Sequence, residues 1–460
     1  MFLDVVAKAL SFVYGVFTLV VFTALAALDG SLTRKITDAE KQELAAAQRK
    51  FWDLASSPFG FKHRFFALQD GRRLHYMEHA AATPENLVVF LHGFPDSWIL
   101  WQRLLGSPEL LKDSVLVAVD LGGYGGSDNL PNYSADTVLE AIGSFIIGMR
   151  DQYPIQNGGR VLVVSHDWGS IIAFRLASEA PQIADRFIIS SAILPEQIVS
   201  TAKAHLGSSK QMLHTWLQRP LSVRLLKTAF RTVSPLLSQA RKSGYVVVFQ
   251  LPPPLSNFAG RMGSKWFLRL LHKLSRKPGP AGLSPAEAAE CMAATIGPGA
   301  AQLGTITEDG LAYPEAVKQR QHDDGWSEKI RIYREGLFKG KWEKSLEMIV
   351  RLSELDGQSF SRRSSSGAGL FEDGPPGSLQ APVTVVYGKK DPAFEQRLAL
   401  EGISDYLTKR SQIVVLEKGG HWLPVEKAGA DVLEQIVLWA LEGEDGALKS
   451  RLGDMVTIEK

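Results

Sequence analysis

The sequence predicts an α/β fold. It reads as an eight-stranded, mostly parallel sheet with helices on both faces, a helical cap inserted into it and an apolar helix in front of it. Three observations predict this. Short apolar runs of strand type alternate with helical patterns from Leu87 to Ser191. The alternation stops at Leu194-Pro195 and resumes only at Val383. A stretch of about 20 uncharged residues, Ala9 to Leu28, comes before all of it.

In chain order, Ala9 to Leu28 is long enough to cross a bilayer. A cleaved secretory signal, with Ala24-Leu25-Ala26 as its small-residue site, is the alternative, although the apolar part is long for that role. Arg34, Lys35, Lys41, Arg49 and Lys50 follow the stretch and only Lys8 precedes it, which favours an anchor with the bulk of the protein on the cytosolic side. Thr37 to Lys50 reads as a polar helix leaving the membrane. Lys62 to Gln69 and Arg72 to His79 read as a hairpin around Asp70-Gly71. Leu87 to Leu91, Val115 to Val119, Val161 to Val164 and Phe187 to Ser191 have the look of buried parallel strands. Ser97 to Leu105, Ala135 to Tyr153 and Ser170 to Ser178 are the helices between them.

From Pro195 to about Lys344 the chain reads as helices and loops, broken by Pro252-Pro253-Pro254, Lys277-Pro278-Gly279-Pro280 and Gly297-Pro298-Gly299. Gly357 to Ser378 is rich in Ser, Gly and Pro and is expected to be disordered. Val383 to Tyr387, Gln412 to Leu416 and a helix at Ala428 to Leu441 complete the sheet domain. The charged tail after Gly443 is expected to be loose. The expected division is an anchor at 1–30, a linker at 31–60, a core at 61–194 and 346–442, a cap at 195–345 and a tail at 443–460.

Composition narrows the function. A net charge of +2 and no basic stripe interleaved with aromatics argue against a nucleic-acid partner. The single cysteine, Cys291, excludes an intramolecular disulfide and a multi-cysteine metal site.

Chemistry enters at Val161 to Ala173. A β-branched run ends at Ser165-His166-Asp167-Trp168-Gly169, and an apolar helical run follows. Small residues two places either side of Asp167 suit a sharp strand-to-helix turn that lifts the central side chain above the sheet edge. This is the nucleophile elbow of α/β-hydrolases, with Asp in place of the usual Ser. A carboxylate attacking a saturated carbon gives an alkyl ester that water can cleave; a serine would give an inert ether. The electrophile is therefore an epoxide or an alkyl halide, unless Asp167 merely caps the next helix. Asp391 and His421 follow two later strands, in the order nucleophile, acid, His. His421 would activate water and Asp391 would orient it. The loop His92-Gly93-Phe94-Pro95 and the residue after the nucleophile would supply the Phe94 and Trp168 N–H groups of an oxyanion hole.

His92-Gly93-Phe94-Pro95-Asp96-Ser97-Trp98, the segment Asp120 to Asp128, Ser165-His166-Asp167-Trp168-Gly169 and Gly420-His421-Trp422 together resemble the epoxide hydrolases of the α/β-hydrolase fold, in particular the membrane-anchored members. The resemblance covers most of residues 60–442 and is looser in the cap. It implies two cap tyrosines that donate to the epoxide oxygen: Tyr245, five residues before Gln250 in Phe249-Gln250-Leu251-Pro252, and Tyr333 in Ile332-Tyr333-Arg334. A phenol stays protonated at neutral pH yet can donate to a developing alkoxide. His92, Pro95, Trp168, Tyr245, Tyr333 and Trp422 are the expected substrate contacts. No metal or organic cofactor is needed. The expected setting is a single-pass endoplasmic reticulum protein acting on lipophilic epoxides.

The chain departs from the family at Gly123, where many members carry Arg, and in a long basic stretch from Lys203 to Lys242. Those basic helices read first as solvated faces. They read second as a surface toward anionic lipid through Arg219, Arg224, Lys227, Arg231, Arg241 and Lys242. A haloalkane or haloacid dehalogenase shares the Asp nucleophile and is the nearest alternative. A catalytically silent, membrane-tethered binding protein is the alternative from another class.

Overall fold

A computed structural model describes residues 2–155, 158–276, 282–363 and 374–459. Its helices and strands run in the order α1 (Phe2–Leu28), α2 (Asp38–Trp52), β1 (Lys62–Ala67), β2 (Arg73–Ala80), β3 (Asn86–Leu91), α3 (Gln102–Leu105), α4 (Pro108–Asp113), β4 (Ser114–Val119), α5 (Ala135–Gln152), β5 (Val161–His166), α6 (Trp168–Glu179) and β6 (Arg186–Ser190). The cap follows: α7 (Pro195–Gln218), α8 (Val223–Lys242), α9 (Gly244–Phe249), α10 (Pro253–Arg276), α11 (Pro285–Ile296), α12 (Glu315–Gln319) and α13 (Trp326–Lys329). Then come α14 (Leu346–Arg363), β7 (Val383–Gly388), α15 (Gln396–Leu400), β8 (Gln412–Leu416), α16 (Lys427–Leu441), α17 (Leu448–Leu452) and β9 (Val456–Ile458).

The strands form one sheet in the order β1-β2-β4-β3-β5-β6-β7-β8-β9. The pairs from β4 through β8 are parallel, and the β1–β2, β2–β4 and β8–β9 pairs are antiparallel. Alternate residues of β3 face opposite layers, as the pleat requires. Leu87, Val89 and Leu91 pack with Phe145 and Phe174, while Val88 and Phe90 pack with Trp98, Trp101 and Trp439. Every strand from β3 to β7 is buried along its whole length, which explains why each reads as a continuous apolar run.

Three expectations are corrected: the strand count, the loose tail and the start of the disordered stretch. The sheet has nine strands rather than eight, because the tail is docked: β9 pairs with β8, and Glu444 accepts from Arg160, Arg186 and Arg410 at 2.6–2.9 Å. Arg186 is fully buried, so the tail supplies the carboxylate that a buried guanidinium needs. The stretch expected to be disordered begins as helix, since α14 runs on to Arg363. The remainder of that expectation, at 364–373, lies outside the described residues, as do 277–280 of the Lys277-Pro278-Gly279-Pro280 break.

Helix α1 is long and apolar enough to cross a membrane. One face leans on the cap: Tyr14 Oη donates to the Ala240 carbonyl at 2.9 Å, and Phe22 packs on Trp266 and Phe267. The other face, with Leu10, Val13, Phe17 and Val20, is bare. Helix α10 breaks at Met262–Lys265, where Gly263, Ser264 and Lys265 have φ of 57°, 52° and 63°. Ser264 Oγ then donates to the Arg34 carbonyl at 2.6 Å, which ties this bend to the segment leaving α1.

Candidate active site

The turn between β5 and α6 holds Asp167 at φ 51° and ψ −117°, a strained conformation for a residue with a side chain. Ser165 and Gly169 are small for a reason. Ser165 is fully buried, and a Cβ on Gly169 would lie 2.4 Å from the Leu91 carbonyl oxygen. The strain lifts the Asp167 carboxylate over the carboxyl end of the sheet, where ligands bind in open α/β folds. Its Oδ1 accepts the Phe94 N–H at 2.8 Å. The loop carrying Phe94 reaches this close because residue 93 is glycine: a Cβ there would stand 2.4 Å from Asp167 Oδ1 and 2.7 Å from the Trp168 nitrogen.

β7 and β8 deliver the other two groups. His421 Nδ1 bonds Asp391 Oδ2 at 2.9 Å, and His421 Nε2 stands 3.6 Å from Asp167 Oδ2. Asp391 is itself fixed, because its Oδ1 accepts from the Ala393 and Phe394 N–H groups at 2.6 and 3.1 Å. All three side chains are buried. Burial pushes the His421 imidazole down, but the charges and hydrogen bonds of Asp391 and Asp167 outweigh it and raise the group to about 10. The resting site is therefore an imidazolium between two carboxylates. Trp422 packs edge-on against the His421 ring at 4.8 Å.

The cap closes over this point with aromatic rings. Tyr245 stands at the start of α9 and Tyr333 in the turn after α13. Their rings are 6.0 Å apart and nearly perpendicular. Tyr333 also meets Trp168 at 4.8 Å and Phe94 at 5.3 Å. Burial, then the Asp167 charge, raises the Tyr245 hydroxyl above the ordinary phenol range. Burial, then Tyr245 and Asp167, raises Tyr333 well above it. Both stay neutral donors.

The structure thus brings Asp167, Asp391, His421, Phe94, Trp168, Tyr245, Tyr333 and Trp422 together. It does not offer His92 to a ligand: the side chain is fully buried, Nδ1 bonds the Gly93 carbonyl and Nε2 accepts from the Leu121 N–H, both at 2.9 Å. The expected substrate contact is a brace for the Gly93–Phe94 loop. Pro95 is buried beside Trp326 and Lys329. Gly123 also has a local cause, because its φ is 79° and a Cβ would collide with Tyr133 Oη.

Three features went unread in the sequence. Phe249, Phe267 and Trp326 complete the wall around the tyrosines. Arg334 donates to the Phe249 and Leu251 carbonyls and to Ser256 Oγ at 2.6–3.1 Å, so it joins the two tyrosine-bearing segments. Asp96 is held up at about 7 by burial first, against the Arg276 charge. Arg334, Phe249 and Asp96 each stand inside a quoted motif, but no local pattern marked these roles. Among the described residues no group of three or more His, Cys, Asp or Glu side chains is placed to hold a metal ion.

The sequence profile of the alpha/beta hydrolase family matches residues 88–435. The chain belongs to that family. Within the alpha/beta hydrolases it is similar to epoxide hydrolase 3 of Mus musculus, at 31 % identity over 140 residues, 30 % of this chain and 35 % of that one. It is also similar to epoxide hydrolase B of Mycobacterium tuberculosis, at 34 % over 109 residues, 23 % of this chain and 29 % of that one. The chain spans about a third of the length of these curated relatives. Among solved structures, one similar to this alpha/beta hydrolase is a variant of an epoxide hydrolase from Bacillus megaterium, at 21 % identity and a TM-score of 0.44, covering 83 % of this chain and all of that one.

Proposed function

We propose that this alpha/beta hydrolase converts epoxides to vicinal diols. The observation that carries the reading is a carboxylate at the elbow, faced by a His–Asp pair below and two neutral tyrosines above. Asp167 attacks one oxirane carbon from the back while Tyr245 and Tyr333 donate hydrogen bonds to the departing oxygen. The C–O bond breaks, a tyrosine hydroxyl passes its proton to the alkoxide, and a hydroxyalkyl ester is left on Asp167.

Ester formation changes the charge balance of the site. His421 loses one of its two carboxylate neighbours, so its raised proton affinity falls. It can then give its proton, by way of water, to the tyrosinate left by ring opening and, held by Asp391, draw one from the water that attacks the ester carbonyl. The Phe94 and Trp168 N–H groups hold the oxyanion that forms. Cleavage of the acyl bond releases the diol and restores the Asp167 carboxylate.

The dehalogenase reading has no use for two phenols beside the nucleophile, since a departing halide needs no proton. Helix α1 serves in this reading as a membrane anchor, with its bare face toward lipid and its other face on the cap, on an endoplasmic reticulum protein with its hydrolase domain in the cytosol, which fits lipophilic epoxides. The test is diol formation from a panel of aryl and fatty-acid epoxides, comparing the wild type with Asp167→Ala. Turnover of at least one class that vanishes in the variant supports the reading. No diol from any of them sinks it.

A further inference from the structure

The helical pair α7–α8 is the feature of the cap that the proposed chemistry leaves unexplained. Its base is fastened to the sheet domain. Gln197 Nε2 donates to the Leu398 carbonyl at 2.9 Å, Gln239 Nε2 to the Ala393 carbonyl at 3.0 Å and Lys242 Nζ to the Asp391 carbonyl at 2.9 Å. Its outer part is not. Between Leu206 and Val233, among the described residues, hydrogen bonds stay within the pair, such as Ser209 Oγ to the Ala229 carbonyl at 3.1 Å.

That outer part carries an unusual surface. Leu217, Leu221 and Val223 at the tip are 70 %, 96 % and 70 % exposed. Along α8, Val223, Phe230 and Leu237 are spaced by seven and form one exposed stripe; along α7, Leu206, Leu213 and Leu217 form another. The two converge on a groove of about 530 Å³ that Leu206, Leu213, Leu217 and Phe230 line together. Arg224, Lys227 and Arg231 run beside the α8 stripe, and Lys203 and Lys210 beside that of α7. No Asp or Glu occurs from Gln197 to Ser243.

We propose that the α7–α8 pair docks on an anionic lipid bilayer, with its tip and apolar stripes in the interface and its basic residues at the headgroups. An apolar stripe flanked by Lys and Arg, free of acidic residues, is what such a surface selects. A second copy of this chain fits poorly, because it would bring two basic surfaces together. The base of the pair touches α1, through Tyr14 Oη and the Ala240 carbonyl near the end of α8. The contact would hold the cap against the membrane independently of the epoxide reading.

The test places an environment-sensitive fluorophore on Leu221→Cys in the full-length chain; native Cys291 is buried and stays unlabelled. Leu221 packs against almost nothing, so folding is not at risk. Reconstitution into vesicles of phosphatidylserine and phosphatidylcholine in equal parts should shift the emission to shorter wavelength and expose the label to quenching by spin-labelled lipid. The shift should shrink in high salt, and also when Arg224, Lys227 and Arg231 are all changed to Glu. An equal shift in phosphatidylcholine alone would overturn the anionic selection. A label that stays water-like in both vesicles, or that shifts without vesicles as the chain self-associates, would overturn the proposal.

Discussion

His421 Nε2 stands 3.6 Å from Asp167 Oδ2, close enough for the imidazolium and the carboxylate to stabilise each other while nothing is bound. With Asp391 on the other nitrogen, the ring binds its proton far more tightly in the folded chain, at about 10, than an ordinary imidazole does. The stability this gives is fully present below about 6.5, the unfolded value, and is lost as pH rises through about 10. Urea midpoints measured across that window should fall for the wild type more than for His421→Gln. Parallel curves would refute the ion pair.

In the proposed mechanism the same pair sets the kinetics. Ester formation removes the Asp167 charge, so the proton on His421 should be held less tightly in the intermediate than in the free enzyme. Single-turnover experiments should therefore show ester hydrolysis rising with pH and levelling off well below pH 10. A hydrolysis rate that tracks the resting-state value would mean that the two carboxylates do not share the imidazolium.

In the proposed mechanism the two phenols act on opening, not on hydrolysis. Tyr245→Phe/Tyr333→Phe should slow ester formation by about 10²–10⁴-fold, the usual worth of general acid assistance, and leave ester hydrolysis nearly unchanged. Each single variant should lose less, because the other tyrosine still donates. Rapid-quench measurement of the two steps separates these outcomes.

Gly93→Ala places a methyl group against Asp167 Oδ1 and the Trp168 nitrogen. The loop must retreat and the Phe94 N–H with it. Ester hydrolysis per folded molecule should drop by about 10²–10³-fold, the effect of losing one oxyanion donor, beyond what the clash costs in stability. A large loss of stability with normal turnover per folded molecule would assign Gly93 to packing alone.

Glu444 offers a test away from the site. Burial would raise its carboxyl, but Arg186 and Arg160 overrule it and hold the group down at about 2. Its contribution is present above about 4.5 and lost as pH falls toward 2. Glu444→Gln should cost about 3 kcal/mol at neutral pH by leaving the buried Arg186 without its anion. Chemical denaturation at neutral and acid pH checks both statements.

How much was legible in the sequence follows from how local each signal is. The elbow was readable because strand, small residues and helix fall within a dozen positions, Val161 to Ala173. Asp391 and His421 were readable because each follows an apolar run in the order the fold demands. The cap tyrosines came from resemblance, not from any pattern of their own. The aromatic wall was not readable, since Phe249, Phe267 and Trp326 meet only in three dimensions. Strand β9 escaped because its three residues are too short to show a period, and its pairing with β8 is non-local. The bracing role of His92 was hidden for the same reason: Leu121, which caps its Nε2, is on another strand's loop.

The proposed reaction passes through a covalent ester on Asp167. His421→Gln removes the base while leaving the nucleophile, the tyrosines and the Phe94 N–H in place. Incubated with a turned-over epoxide and digested, this variant should yield the peptide containing Asp167 heavier by the full mass of the substrate. An unmodified peptide, under conditions where the wild type forms diol, would contradict the account.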